Sequence, residues 1–186
     1  KITSSSGKNI TCDKISKTWQ SNNQKSIGDG VGFILHLNAL TVAGEWYHEN
    51  NTLYFWKPGG GKPSNTEVEA QKREIAFKLD GRNGITLKNI HIKAASISMN
   101  NSDNCNITDC TFRYQKGFYT RSKYAASYKE HGGVYVKGDN NTFDGCYFRS
   151  SWGNLMNVDS GSGNTFTNSI FEDNGWISQF TACIQS

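Results

Sequence analysis

The sequence predicts an all-β fold, a parallel β-helix (solenoid) of about four coils over residues 77–186. Three observations predict it. A six-residue block recurs at a spacing of roughly 20 to 25 residues, the period range of stacked repeats. A short alternating block precedes each copy, and runs of Gly, Asn, Asp and Ser connect the two. One strand pair cannot bury its apolar face alone, whereas stacked coils enclose a continuous apolar column.

The recurring block reads apolar, polar, Asn/Asp/Gly, small, variable, apolar. Its copies are residues 87–92, 107–112, 143–148 and 166–171. In a stack of coils, equivalent positions lie one above another. The fourth position of the block is therefore predicted to form one interior row, made of Ile90, Cys110, Cys146 and Ser169.

The alternating block has the signature of a strand, because inward and outward residues alternate before a polar residue leaves the strand. Its copies are residues 77–80, 97–100, 134–137 and 156–159. The linking runs favour turns, since Gly and Asn tolerate left-handed backbone angles. A period of two places four side chains on the outer face: Lys78, Ser98, Tyr135 and Asn157.

One interval is too long for a single coil. The step from Ile107 to Phe143 is well above the others, and its excess lies in residues 114–133. This segment is predicted to be a loop that projects from the stack, which is where solenoids place their sites.

Residues 1–76 lack the repeat and form a predicted β-rich N-terminal capping region. Within it, residues 45–56 predict a β-hairpin with its turn at residues 48–51. The chain begins at Lys1 without Met or an apolar leader, which predicts a processed form or a fragment. Residues 180–186 predict the start of a further strand, so that either the polypeptide continues or another chain covers this face. The second option predicts an end-to-end homo-oligomer or filament.

Length and composition exclude several classes of protein. At 186 residues the chain can bury a real core in one domain, or one domain with an appendage. With 19 Gly, 2 Pro and 35% hydrophobic residues it is a folded, loop-rich β protein and not a disordered one. No apolar run approaches the ~18 residues of a membrane-spanning helix, so no membrane span is predicted.

Four segments resemble the N-terminal part of large secreted right-handed parallel β-helix proteins in order and spacing. They are Ala43-Gly44-Glu45-Trp46-Tyr47, residues 52–56, residues 68–70 followed by 75–81, and Ile85-Thr86-Leu87-Lys88-Asn89-Ile90. Many such proteins belong to polysaccharide lyase or glycoside hydrolase families. The resemblance covers about residues 31–175 and implies a right-handed coil, an extracellular location and a polysaccharide partner. It is specific for the fold, because these families share a scaffold and differ in chemistry.

The projecting segment is strongly cationic. Residues 113–132 hold five Lys or Arg residues against one Glu, and this excess of +4 equals the formal charge of the chain. Cations attract a polyanion and aromatic faces lie against sugar rings, so an acidic polysaccharide is the predicted ligand. Nucleic acid, a less favoured partner, would meet the same features, and a solvated loop is the simpler alternative. The predicted substrate-binding residues are Arg113, Lys116, Tyr119, Arg121, Lys123, Tyr124 and Asn157.

Two kinds of catalysis are open at the outward positions beside this segment. Lyase chemistry on a uronate needs a cation to neutralise the carboxylate and a base to remove the neighbouring proton. A glycosidase needs two carboxyl groups at a defined separation. The lyase candidates are Lys137, Arg149, His131 and Tyr135, and the glycosidase candidates are Asp159 with Glu172 or Asp173.

The same residues have simpler interpretations. Lys137 and Asp159 would form an exposed ion pair of little energetic value if they lie in adjacent coils. Asp80, Asn100 and Asp159 at equivalent corners would suit a calcium ion, although Lys137 interrupts the column, and no other cofactor is predicted. The scaffold also suits a non-catalytic extracellular structural protein, an adhesin or a filament subunit.

Five cysteines leave at least one unpaired. Cys110 and Cys146 share a position in successive coils, about 4.8 Å apart, which is near the lower end for a disulfide. We expect stacked inward thiols that behave as small apolar side chains. A zinc site is not predicted, since no Cys-x-x-Cys or His pair occurs.

Asn-x-Ser/Thr sequons predict glycosylation, which fits a secreted glycoprotein. Asn106 directly precedes the inward Ile107 and is expected to be the less accessible one. The predicted glycosylation sites are Asn9, Asn50, Asn100 and Asn140.

Overall fold

The computed structural model describes residues 2–6, 9–12, 36–64, 68–115, 133–175 and 182–185. The chain divides into two compact units, Lys1–Val68 and Glu69–Ser186. The boundary predicted after residue 76 therefore lies inside the second unit. The predicted loop at residues 114–133 lies outside the described residues except at its two ends.

The described part of the first unit contains two antiparallel strand pairs. β1 (Ile2–Ser6) pairs with β2 (Asn9–Cys12), and β3 (Trp46–Glu49) pairs with β4 (Thr52–Phe55) after one 3-10 turn at Leu37–Ala39. Asn50 and Asn51 form the β3–β4 turn with φ of 49° and 61°. Two positive φ values match the type I′ turn that suits hairpin twist, and Asn tolerates them. The predicted hairpin is present with a two-residue turn.

The described residues of the second unit form a stack of four coils, each made of three strands. Coil 1 contains β5 (Ile75–Lys78), β6 (Thr86–Lys88) and β7 (His91–Lys93); coil 2 contains β8 (Ser96–Asn100), β9 (Asn106–Thr108) and β10 (Thr111–Arg113). Coil 3 contains β11 (Val134–Lys137), β12 (Thr142–Asp144) and β13 (Tyr147–Ser151); coil 4 contains β14 (Met156–Ser160), β15 (Thr165–Thr167) and β16 (Ile170–Asn174). The final β17 (Ile184–Gln185) pairs in parallel with β14, so the strand expected within residues 180–186 is present.

Equivalent strands of successive coils form three parallel sheets. Sheet A joins the first strands together with β17, sheet B the second strands and sheet C the third strands. The predicted parallel β-helix of about four coils is confirmed.

The six-residue block forms two short strands joined by a bend. Its third residue has a left-handed backbone, which turns the chain from sheet B to sheet C: φ is 56° at Asn89, 52° at Asp109, 64° at Gly145 and 48° at Asn168. Gly and the short polar side chains adopt this conformation at low cost. Each coil is therefore three-sided.

The core is a set of interior rows that run along the stack. The rings of Phe112, Phe148 and Phe171 stack at centroid distances of 4.7 and 4.4 Å. The predicted row through Cys110 and Cys146 is also present, because Tyr147 N donates to the Cys110 carbonyl and Ile170 N donates to that of Cys146. Dispersion and burial of these rows hold the coils together.

The interior cysteines are thiols. Cys105, Cys110 and Cys146 are buried and unpaired, and the Cys146 sulfur lies 3.3 Å from the Ile107 carbonyl oxygen. Burial raises the pKa of the Cys146 thiol from 9.0 to about 11.

We expect the Cys146 thiol to resist alkylation in the folded protein, since only the thiolate reacts and burial disfavours it. Mass spectrometry of tryptic peptides after iodoacetamide treatment at pH 8 should show Cys146 labelled only after unfolding, with the half-buried Cys183 labelled earlier. Rapid labelling of native Cys146 would contradict this.

The raised pKa of Cys146 also affects stability against pH. The neutral thiol stabilises the fold fully below about pH 9, and this contribution is lost as pH rises towards 11.

Candidate functional site

Sheet C carries a row of charged side chains on its outer face. The strand register aligns Lys93 with Arg113, Arg113 with Arg149, and Arg149 with Glu172. Adjacent strands lie about 4.8 Å apart, so three cations follow one another on consecutive coils and a carboxylate comes fourth. We call Lys93, Arg113 and Arg149 the cationic row.

Arg113, Arg149 and Glu172 were predicted from the sequence, whereas Lys93 was not. Lys93 follows Ile92 as Arg113 follows Phe112 and Arg149 follows Phe148. Lys93 could therefore have been predicted, because it occupies the same position directly after the six-residue block as Arg113 and Arg149 do.

The cationic row is solvent-exposed, and its present partners are weakly held. Lys93 Nζ pairs with Glu69, and Arg149 Nε lies 3.6 Å from Glu172 Oε1. Among the described residues, no ion pair involves Arg113. Exposed ion pairs are worth about 0–1 kcal/mol, so another anion can replace either carboxylate at small cost.

Tyr147 places an aromatic ring beside the row. The Arg113 guanidinium lies 5.9 Å from the centroid of this ring, within cation–π range. The Tyr147 hydroxyl donates to Glu172, and this hydrogen bond raises the pKa of Tyr147. Tyr147 and then Glu172 raise the pKa of Arg149, which keeps the guanidinium charged.

Sheet A carries the other predicted catalytic side chains. The Tyr135 hydroxyl donates to Asp159 Oδ2 over 2.8 Å, and Lys137 Nζ lies 4.0 Å from the same oxygen. Both ionic side chains are about a third exposed, at 38% and 33%. Lys137 and Asp159 are therefore placed as the ion pair between adjacent coils that the simpler interpretation expects.

Asn157 aligns with Tyr135 in the register but is only 3% exposed. The expectation that it lies open on the outer face is wrong, because an outward register does not guarantee access to solvent. Its Nδ2 atom is buried without a hydrogen-bond partner. Asn157 is therefore not an accessible contact for a polymer in this structure.

The structure divides the predicted site between two sheets. Tyr135, Lys137 and Asp159 belong to sheet A, whereas Arg149 and Glu172 belong to sheet C. Neither the lyase set nor the Asp159–Glu172 pair therefore shares one sheet. Six further predicted residues lie outside the described residues: Lys116, Tyr119, Arg121, Lys123, Tyr124 and His131.

The corner proposed for calcium uses its carboxylate within the fold. Asp80 Oδ1 accepts hydrogen bonds from Ser98 Oγ at 2.6 Å and from the Asn100 backbone N–H at 3.0 Å. Burial raises the pKa of Asp80, but these hydrogen bonds together with the nearby Lys78 outweigh it and lower the pKa overall. Over the described part of the chain, no group of three His, Cys, Asp or Glu residues is placed to hold a metal ion.

The sequons differ in exposure. Asn9, Asn50 and Asn140 are exposed, whereas Asn100 is half-buried at the end of β8. Asn106 is exposed at the start of β9, so the expectation that it is less accessible is wrong: the inward Ile107 leaves its neighbour pointing out. Glycosylation at these positions stays a prediction.

Comparison with known proteins decides the family. A family model described as the right handed beta helix region matches residues 49–185. The chain belongs to this family. The beta-helix match begins at Glu49, the last residue of β3, and covers β4 and all four coils, in agreement with the parallel stack. No curated protein and no solved structure matches the chain. In the part of the beta-helix protein that the structure describes, no helix is long and apolar enough to cross a membrane.

Proposed function

We propose that this beta-helix protein is secreted and recognises an acidic polysaccharide through the outer face of sheet C. The observation that supports it is the alignment of Lys93, Arg113 and Arg149 on three consecutive coils. A linear polyanion presents charges in a row, and a rigid row of cations meets it without reordering the backbone. The Tyr147 ring adds an aromatic face for a sugar ring.

The row favours recognition because its cations can change partners. The Lys93–Glu69 and Arg149–Glu172 pairs are exposed, and Arg113 holds its place against the Tyr147 ring. A polymer with several acidic groups replaces two weak pairs and adds a contact to Arg113. Contacts between ions in this setting are screened by salt, so binding should weaken as ionic strength rises.

Replacing Arg113 with Gln tests the proposal. One charge-assisted contact is worth about 1.5 kcal/mol, so the affinity for a polyuronate should fall roughly tenfold. Isothermal titration calorimetry with acidic and neutral polysaccharides would measure it. Lys88→Gln is the matched control, because it removes the same charge from the exposed face of sheet B.

Two results would overturn the recognition proposal. Equal losses in the Arg113 and Lys88 variants would show that net charge and not the row determines binding. Absence of binding to every acidic glycan would remove the function altogether.

Cleavage is a separate extension of the proposal, supported by the Tyr135–Asp159 hydrogen bond with Lys137 nearby. A lyase would give new absorbance from an unsaturated product, lost in Lys137→Ala. Binding without any product would leave a recognition protein.

A structural protein, such as a filament subunit, is the second candidate function. Phe166 and Phe171 in coil 4 are only half-buried, whereas Phe143 and Phe148 one coil earlier are fully buried. In sheets B and C, the described residues supply no strand beyond β15 and β16. Concentration-dependent assembly in light scattering, together with no glycan binding, would favour this function.

A further inference from the structure

We infer that the cationic row reads the spacing of charges along its ligand: it takes a polyanion with an acidic group on every monosaccharide, and Glu172 limits the bound charged stretch to three residues. The inference rests on the proposed function and deepens it. It concerns the class of polymer and the length of the site.

The spacing of the cations follows from the strand register. Lys93, Arg113 and Arg149 are direct strand partners in sheet C, so each step of the row is one strand spacing, about 4.8 Å. One pyranose residue of an extended polysaccharide has about this length. A chain lying along the helix axis therefore brings one sugar to each cation. A polymer with acidic groups on alternate sugars would leave Arg113 without an anion.

Glu172 ends the row. It is the strand partner of Arg149 and occupies the fourth position, where it accepts one hydrogen bond from the Tyr147 hydroxyl and pairs with Arg149. A fourth acidic sugar would meet this carboxylate, and like charges at such distance repel.

A simpler interpretation treats the four side chains as an ordinary solvated surface. In that case the affinity for acidic oligosaccharides would rise steadily with length, since each added charge contributes through the net field alone. It would also depend on the number of charges and not on their spacing. The two interpretations therefore differ in a measurable way.

The experiment measures affinity for homopolymeric uronate oligosaccharides of increasing length, with the intact chain. For the natural sequence, affinity should rise up to three acidic sugars and then stay level. Oligosaccharides with the same number of charges on alternate sugars should bind about tenfold more weakly, which is the loss of one charge-assisted contact.

Glu172→Arg should extend the row. In this variant, affinity should rise up to four acidic sugars and then stay level. Its affinity for the four-sugar acid should be about tenfold higher than that of the natural sequence. Glu49→Arg is the control, because it makes the same charge change at an exposed position of the β3–β4 hairpin. It should leave the limit at three.

Each other result overturns the inference. A steady rise with length, equal binding of alternating oligosaccharides, or the same limit in the Glu172 and Glu49 variants would each exclude spacing recognition while leaving acidic polysaccharide binding intact. Absence of all binding would overturn the proposed function and this inference together.

Discussion

Replacing Gly138 with alanine is expected to destabilise the coil stack by more than about 3 kcal/mol. The alanine side chain would clash with the preceding coil, and its backbone would be held at a φ value that L-residues other than glycine rarely adopt. Gly138 has a φ of 151°, and a Cβ atom there would lie 2.1 Å from the Ser102 carbonyl oxygen of the preceding coil. That oxygen is backbone and cannot turn aside as a side chain would. Since a domain is stable by only about 5–15 kcal/mol, thermal or urea unfolding should reveal the loss clearly.

Gly84→Ala separates the two causes. Gly84 also has a positive φ, 68°, but an added Cβ would have nothing within 4 Å. Only the backbone preference is lost there, at a cost of about 1 kcal/mol. Equal destabilisation in the two variants would contradict the close approach of coils at Gly138.

The sequence predicted the stacking well because its signal is local and repeated. Alternation in residues 134–137 predicts a strand in any context, and four copies at similar spacing predict a stack. The division of the six-residue block was harder to see. A strand with period two and two short strands joined by a bend give similar patterns over six residues. The recurring Asn89, Asp109, Gly145 and Asn168 marked the bend, since these residue types favour left-handed backbone angles.

The candidate site was only partly predictable for a related reason. Residues one repeat apart must align, so the order of Arg113, Arg149 and Glu172 followed from the spacing alone. The spacing did not show whether these residues lie on the same sheet as Lys137, because that depends on how many bends separate the two kinds of block. The burial of Asn157 depends on what packs over it, which a strand pattern does not contain.

Replacing Asn141 with leucine is expected to cost about 3–5 kcal/mol, because several buried polar groups lose their partners at once. Asn141 is fully buried among the interior rows. Its Oδ1 accepts from the Cys105 backbone N–H at 3.0 Å. Its Nδ2 donates to the Ser102 carbonyl at 2.9 Å and to Asn164 Oδ1 at 3.0 Å. One side chain thus connects coils 2, 3 and 4.

Leucine fills nearly the same space and gains apolar burial, but this gain is smaller than the penalty for orphaned groups in a low-dielectric interior. Asn83→Leu is the matched control: Asn83 Oδ1 also accepts a backbone N–H, from Asp103, but at an exposed corner. Water can replace that bond, so its loss should cost about 1 kcal/mol or less. If both variants unfolded at the same urea concentration, the Asn141 network would not hold the coils together, and stacking of apolar rows alone would account for the stability of the solenoid.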